Sequence, residues 1–79
     1  MKAYKKFKYI WFPRRTGDDD IGIKMDSVKM IKPDPNNKDF SIVIYNESNL
    51  RAFEPAESVA RTLWGNGKYK KQKGAYVPK

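Results

Sequence analysis

The sequence has no cysteine and no histidine. The first absence excludes a disulfide framework and any thiolate metal site. The second excludes zinc sites of the usual Cys/His kind, histidine-based triads and imidazole acid–base chemistry. No apolar run approaches the roughly 20 residues that a membrane-spanning helix needs. After the basic start Lys2-Ala3-Tyr4-Lys5-Lys6, only the short stretch Tyr9-Ile10-Trp11-Phe12 is apolar. It is too short for the hydrophobic part of a signal peptide, and no small-residue cleavage site follows it. These absences predict a cytoplasmic, soluble protein without a small-molecule cofactor, a metal or a membrane partner. At 79 residues the chain is expected to be one thin domain with little room for a buried active site.

What the chain has in excess is positive charge. Seventeen Lys and Arg stand against nine Asp and Glu, for a net charge of +8. The excess sits at the ends. Residues 1–15 carry Lys2, Lys5, Lys6, Lys8, Arg14 and Arg15 and no acid. Residues 65–79 carry Lys68, Lys70, Lys71, Lys73 and Lys79, again with no acid. The segment between them is mildly acidic. Such asymmetry points to nucleic acid or an acidic surface as partner, against the plainer reading that basic ends keep a small protein in solution.

Both ends are also aromatic. Tyr4, Phe7, Tyr9, Trp11 and Phe12 lie in the first and Tyr69 and Tyr76 in the last. Cations neutralise phosphates and release counterions, and aromatic faces stack on bases. Part of the N-terminal set must instead be core. Read as one strand, Lys2–Phe12 puts Ala3, Phe7, Tyr9 and Trp11 on one face and Tyr4, Ile10 and Phe12 on the other.

Pro13 ends that strand, and residues 14–22 read as a loop around Gly17 and Asp18-Asp19-Asp20. Ile23/Met25 and Val28/Met30 alternate with polar residues, with a change of phase at Asp26-Ser27 that predicts a bulge or short turn. Pro33–Asp39 is a turn by composition. Phe40–Tyr45 is the clearest strand, expected to form an antiparallel hairpin with Val28–Lys32. Residues 46–49 read as a loop, and Leu50–Phe53 as a short strand. Pro55–Trp64 is the one good helix. Pro55 suits its first position, Ala56, Val59, Ala60 and Leu63 make one apolar stripe, and Gly65 stops it. The predicted architecture is α+β: a small antiparallel sheet of three or four strands with one C-terminal helix packed on one face. Residues 1–67 form the domain and 68–79 a basic tail or edge strand. The order of strands followed by a helix is similar to that of AP2-type and integrase arm-binding domains, which contact DNA with the sheet. That likeness is of element order and carries no residue over.

Other motifs have plainer explanations. Asp18-Asp19-Asp20 lacks the alternating ligand spacing of a calcium loop and reads as a solvated loop pairing with Arg14 and Arg15. Gly65-Asn66-Gly67-Lys68 follows a helix, so the dipole faces the wrong way for a phosphate loop. Ser48 and Ser58 have no base to activate them, and Glu54 and Glu57 sit where helix capping accounts for them. Trp64 reads as core, and Trp11 as core or as an exposed stacking face.

The sequence therefore predicts a non-enzymatic nucleic-acid binder (DNA or RNA) of low sequence specificity. Lys5, Lys6, Lys8, Arg14, Arg15, Lys68, Lys70, Lys71 and Lys73 would form one surface, with Tyr4, Tyr9 or Tyr69 stacking. The alternative is a protein-interaction module, such as an inhibitor, regulator or assembly subunit of phage or plasmid type. It would dock a sheet edge or aromatic face on an acidic protein partner.

Overall fold

The computed structural model describes residues 2–79. Eight strands and one helix follow one another as β1 (Tyr4–Lys6), β2 (Tyr9–Phe12), β3 (Ile21–Lys24), β4 (Val28–Asp34), β5 (Asn37–Tyr45), β6 (Ser48–Ala52), α1 (Ala56–Trp64), β7 (Tyr69–Gln72) and β8 (Ala75–Pro78). The strands form two antiparallel sheets, one of order β1-β2-β3 and one of order β6-β5-β4-β8-β7. The α+β class holds. The expected single sheet of three or four strands does not, and the helix is followed by a hairpin.

Two reversals account for the difference. The first strand breaks at Phe7-Lys8, where Lys6 pairs with Tyr9 and Phe7 takes φ 60°. Two-residue hairpin turns need positive φ, usually from Gly or Asn, so a Phe gives no warning of one. At the other end Gln72 pairs with Ala75 across Lys73-Gly74, at φ 53° and 81°. Successive positive φ values are what a type I′ turn requires, and Gly74 takes the second without strain. The chain end thus folds back, and Tyr76 pairs with Ile31 of β4. Between β3 and β4 the expected phase change is a 3₁₀ turn, Met25–Ser27. Expected hairpin β4–β5 is present, with Ile31 opposite Val43 and Lys32 opposite Ile42.

One buried cluster unites all the layers. Ile10, Phe12 and Ile23 come from the small sheet, Val28, Ile31 and Val43 from the large one, and Ala56, Val59, Ala60 and Leu63 from α1. The helical stripe is buried as its spacing predicts, and Trp64 packs partly buried against the cluster. Two alanines in the stripe let α1 lie close to the sheet, where it touches β1, β4, β5, β7 and β8. Burial of each large aliphatic side chain contributes roughly 1.5–3 kcal/mol.

Glu54, just ahead of α1, is a buried hub. Its carboxylate accepts the Ala3 backbone N–H and the Ser58 hydroxyl, and its carbonyl accepts the Ser41 hydroxyl at 2.9 Å. One residue thereby ties the entry to β1, the start of α1 and the centre of β5. This is the physical reason that Ser41 faces the core: its hydroxyl is satisfied there. Val43 and Tyr45 share that face, so Phe40, Ile42 and Ile44 point the other way, outside the buried cluster.

Candidate nucleic-acid interface

The N-terminal basic residues lie on the small sheet. Lys5 and Lys6 are on its free edge strand β1 and Lys8 is in the turn, next to Phe7, which is 86% exposed. On the outward face, Lys6, Tyr9 and Lys24 form one cross-strand row and Tyr4, Trp11 and Gly22 the next. Trp11 lies flat on Gly22, where a Cβ would meet its ring at 2.8 Å. Tyr9 leans on Trp11 with ring centroids 5.9 Å apart. The Tyr4 hydroxyl donates to Asp20 at 2.5 Å. That bond, with partial desolvation and the nearby negative charge adding to it, raises the Tyr4 pKa above the usual tyrosine value. A cleft of about 460 Å³ is lined by Tyr4, Lys6 and Trp11 and by Asp18, Asp19 and Asp20. The aromatic face is therefore shared between cations and carboxylates.

Arg14 and Arg15 go elsewhere. The Arg14 guanidinium donates to the Arg51 carbonyl at 2.6 Å and stacks over Phe53 at 4.6 Å, at the β6 edge of the large sheet. Neither arginine pairs with Asp18, Asp19 or Asp20 among the described residues, contrary to expectation. The loop closes instead through its backbone, with the Asp18 N–H on the Arg15 carbonyl at 2.9 Å.

Lys68, Lys70, Lys71 and Lys73 lie on or beside β7, at the opposite edge of the large sheet. Tyr69 turns inward, edge-on to Tyr76 with centroids 5.7 Å apart and its hydroxyl 3.3 Å from the Glu57 carboxylate. Its ring is engaged by the protein's own residues. The residues singled out by the sequence thus occupy three places: the β1 edge, the β6 edge and the β7 edge. Helix α1 touches both β1 and β7. Lysines on free edge strands have a purpose of their own, since charge there keeps foreign strands from pairing.

A fourth surface is the face of the large sheet turned away from α1, a face the sequence leaves for solvent or a partner without singling out its residues. Register places two rows across all five strands. One runs Arg51, Ile42, Lys32, Ala75, Gln72, and the other Asn49, Ile44, Met30, Val77, Lys70. Neither row contains an acid. Beyond these rows Asp34 meets Arg51, Nε to Oδ2 at 2.8 Å, and accepts the Asn36 backbone N–H at 2.8 Å. Near the β6 edge Arg51 stacks over Phe40 at 4.7 Å, and Phe40 meets Phe53 at 5.4 Å. With Arg14 over Phe53, two adjoining rings lie between two guanidinium planes. Toward the other edge Met30, Lys32, Gln72, Lys73, Ala75 and Val77 line a hollow of about 400 Å³. The available signal was the Phe40/Ile42/Ile44 alternation, but alternation does not say which face is core.

No family model, curated protein or solved structure matches the chain. The site must be read from its own chemistry. Among the described residues no group of carboxylates converges to hold a metal ion, and no helix is long and apolar enough to cross a membrane.

Proposed function

We propose that the chain is a nucleic-acid-binding domain of low sequence specificity that engages phosphates over the open face of its five-stranded sheet. One observation carries this reading: the outward rows hold no acid, and among the described residues Lys32 and Lys70 have no carboxylate partner, with Lys73 in the turn at the rim and Arg14 and the Asp34-paired Arg51 at the β6 edge. Phosphate recognition needs unopposed cations at spacings a flexible backbone can follow. The helix offers no comparable surface, because its outward side mixes Glu57 with Arg61. Low specificity follows from the kind of contact, since cations on phosphates carry no sequence information.

The test is fluorescence anisotropy with a random-sequence oligonucleotide between 25 and 200 mM salt. About four or five phosphate contacts give a log–log slope near −3 to −4. No binding at the lowest salt overturns the proposal.

A second reading, a protein-interaction module, is favoured by Met30, Ile42, Ile44 and Val77 on the same face, half-buried and outside the core cluster. A complex captured by pull-down that survives nuclease treatment supports it, and loss of the complex on that treatment returns the face to nucleic acid.

A further inference from the structure

Resting on that reading, we infer that the ligand is a single strand, with its bases laid on the apolar side chains of the open face and its phosphates on the cations set among and beside them. Phosphate binding explains Lys32, Arg51 and Lys70 but not their neighbours. Ile42, Ile44, Met30 and Val77 stand between them, on a face that neither α1 nor the small sheet covers. A duplex presents phosphates and hydrated grooves, so these side chains would stay against water. Unstacked bases cover apolar surface and leave their phosphates free to reach the rim.

The dimensions agree. Five strands at a spacing of about 4.8 Å make a platform about 19 Å wide. At the β6 side the Arg14–Phe53 and Arg51–Phe40 stacks offer planar surfaces of the kind on which bases stack. At the β7 side the hollow between Met30 and Val77 has an apolar floor, Lys32 and Lys73 at its sides, and the Gln72 amide to meet a base edge. Charge also argues against a second copy of this chain as occupant, because two such faces would bring like charges together.

The deciding experiment compares a labelled 12-nucleotide single strand with the duplex of the same sequence, at 25 and 100 mM salt. Single-strand binding at least ten-fold tighter than duplex binding is expected. Replacing Ile42→Thr and Val77→Thr together keeps strand propensity. It should weaken single-strand binding about ten-fold and leave the salt slope unchanged, because no cation is removed. Equal or tighter duplex binding overturns this inference and leaves the nucleic-acid reading standing. Absence of binding to both probes at 25 mM salt overturns the nucleic-acid reading itself. Should the double variant fail to fold, amide shift changes in the unaltered protein decide. Changes confined to β4, β5, β6, β7 and β8 support the platform, and changes on α1 overturn it.

Discussion

On the three-stranded sheet, the outward aromatics are engaged by the chain itself. Trp11 rests on Gly22, Tyr4 bonds Asp20, and Lys6 faces three carboxylates. On the five-stranded sheet the two outward rows hold cations and aliphatic side chains without an acid, and the carboxylates come only at the β6 edge, where Asp34 pairs with Arg51 and Asp18 shares a hollow with Arg14 and Phe53. The two faces have similar ingredients and different balances. Lysine beside aromatics marks a polyanion surface only where no acid shares it. The N-terminal segment, richest in that pairing, folds against the Asp18–Asp20 loop, which lies well along the chain from β1.

Matched charge reversals break or confirm this contrast most strongly. Lys32→Glu with Lys70→Glu should lower oligonucleotide affinity about 100-fold at low salt, or about 2.7 kcal/mol. Lys6→Glu with Lys24→Glu changes the net charge equally and should alter affinity less than about three-fold. Equal losses in anisotropy titrations would mean that total charge, and not the open face, governs binding.

The join between the sheets comes next. Glu54→Ala leaves the buried Ala3 N–H without its acceptor and should cost about 2 kcal/mol in urea denaturation. Glu54→Gln keeps an acceptor and should cost less. Hydrogen exchange should quicken in β1 and β2 more than in β4 and β5, if the small sheet depends on this hub.

Gly22→Ala should cost about 1 kcal/mol, because the added methyl displaces the Trp11 ring. A red shift of tryptophan emission would report the displacement, while nucleic-acid affinity should not move. A change in affinity would draw the small sheet into the interface.

The smallest effect is at Tyr4. Its hydroxyl donates to Asp20 and keeps its proton to higher pH than an ordinary tyrosine. The stabilisation is complete below about pH 10, the unfolded value, and is lost as pH rises through the folded value. Ultraviolet titration should show one tyrosine ionising late, and Tyr4→Phe should remove that component.

The sequence made some elements legible and hid others for identifiable reasons. The Ala56/Val59/Ala60/Leu63 stripe and the β4–β5 pairing followed from periodicity. The β1–β2 reversal did not, because Phe7 takes a conformation that its residue type disfavours. Lys68–Lys79 read as a tail or edge strand because it has little to bury; β7 is an edge strand, and what stayed hidden is the hairpin that Lys73-Gly74 closes and Tyr76 ties to β4. The open face was hidden by Ser41. Hydrophobicity alone would put Phe40, Ile42 and Ile44 inside; in the fold Val43 and Tyr45 pack inward instead, and the hydrogen bond from Ser41 to Glu54 removes the cost of burying the hydroxyl beside them.

The lysines of β1 and β7 have one more consequence. Lys5 and Lys6 border the small sheet and Lys70 and Lys71 the large one, while Arg14 occupies the Arg51 carbonyl at the remaining large-sheet edge. Acetylation would erase the charge on two of those borders and leave the third capped. The acetylated protein should then polymerise into cross-β ribbons through β1 and β7, with growth seen as a thioflavin signal. Fibre growth on acetylation would trace this chain's resistance to four ammonium groups more than to its core.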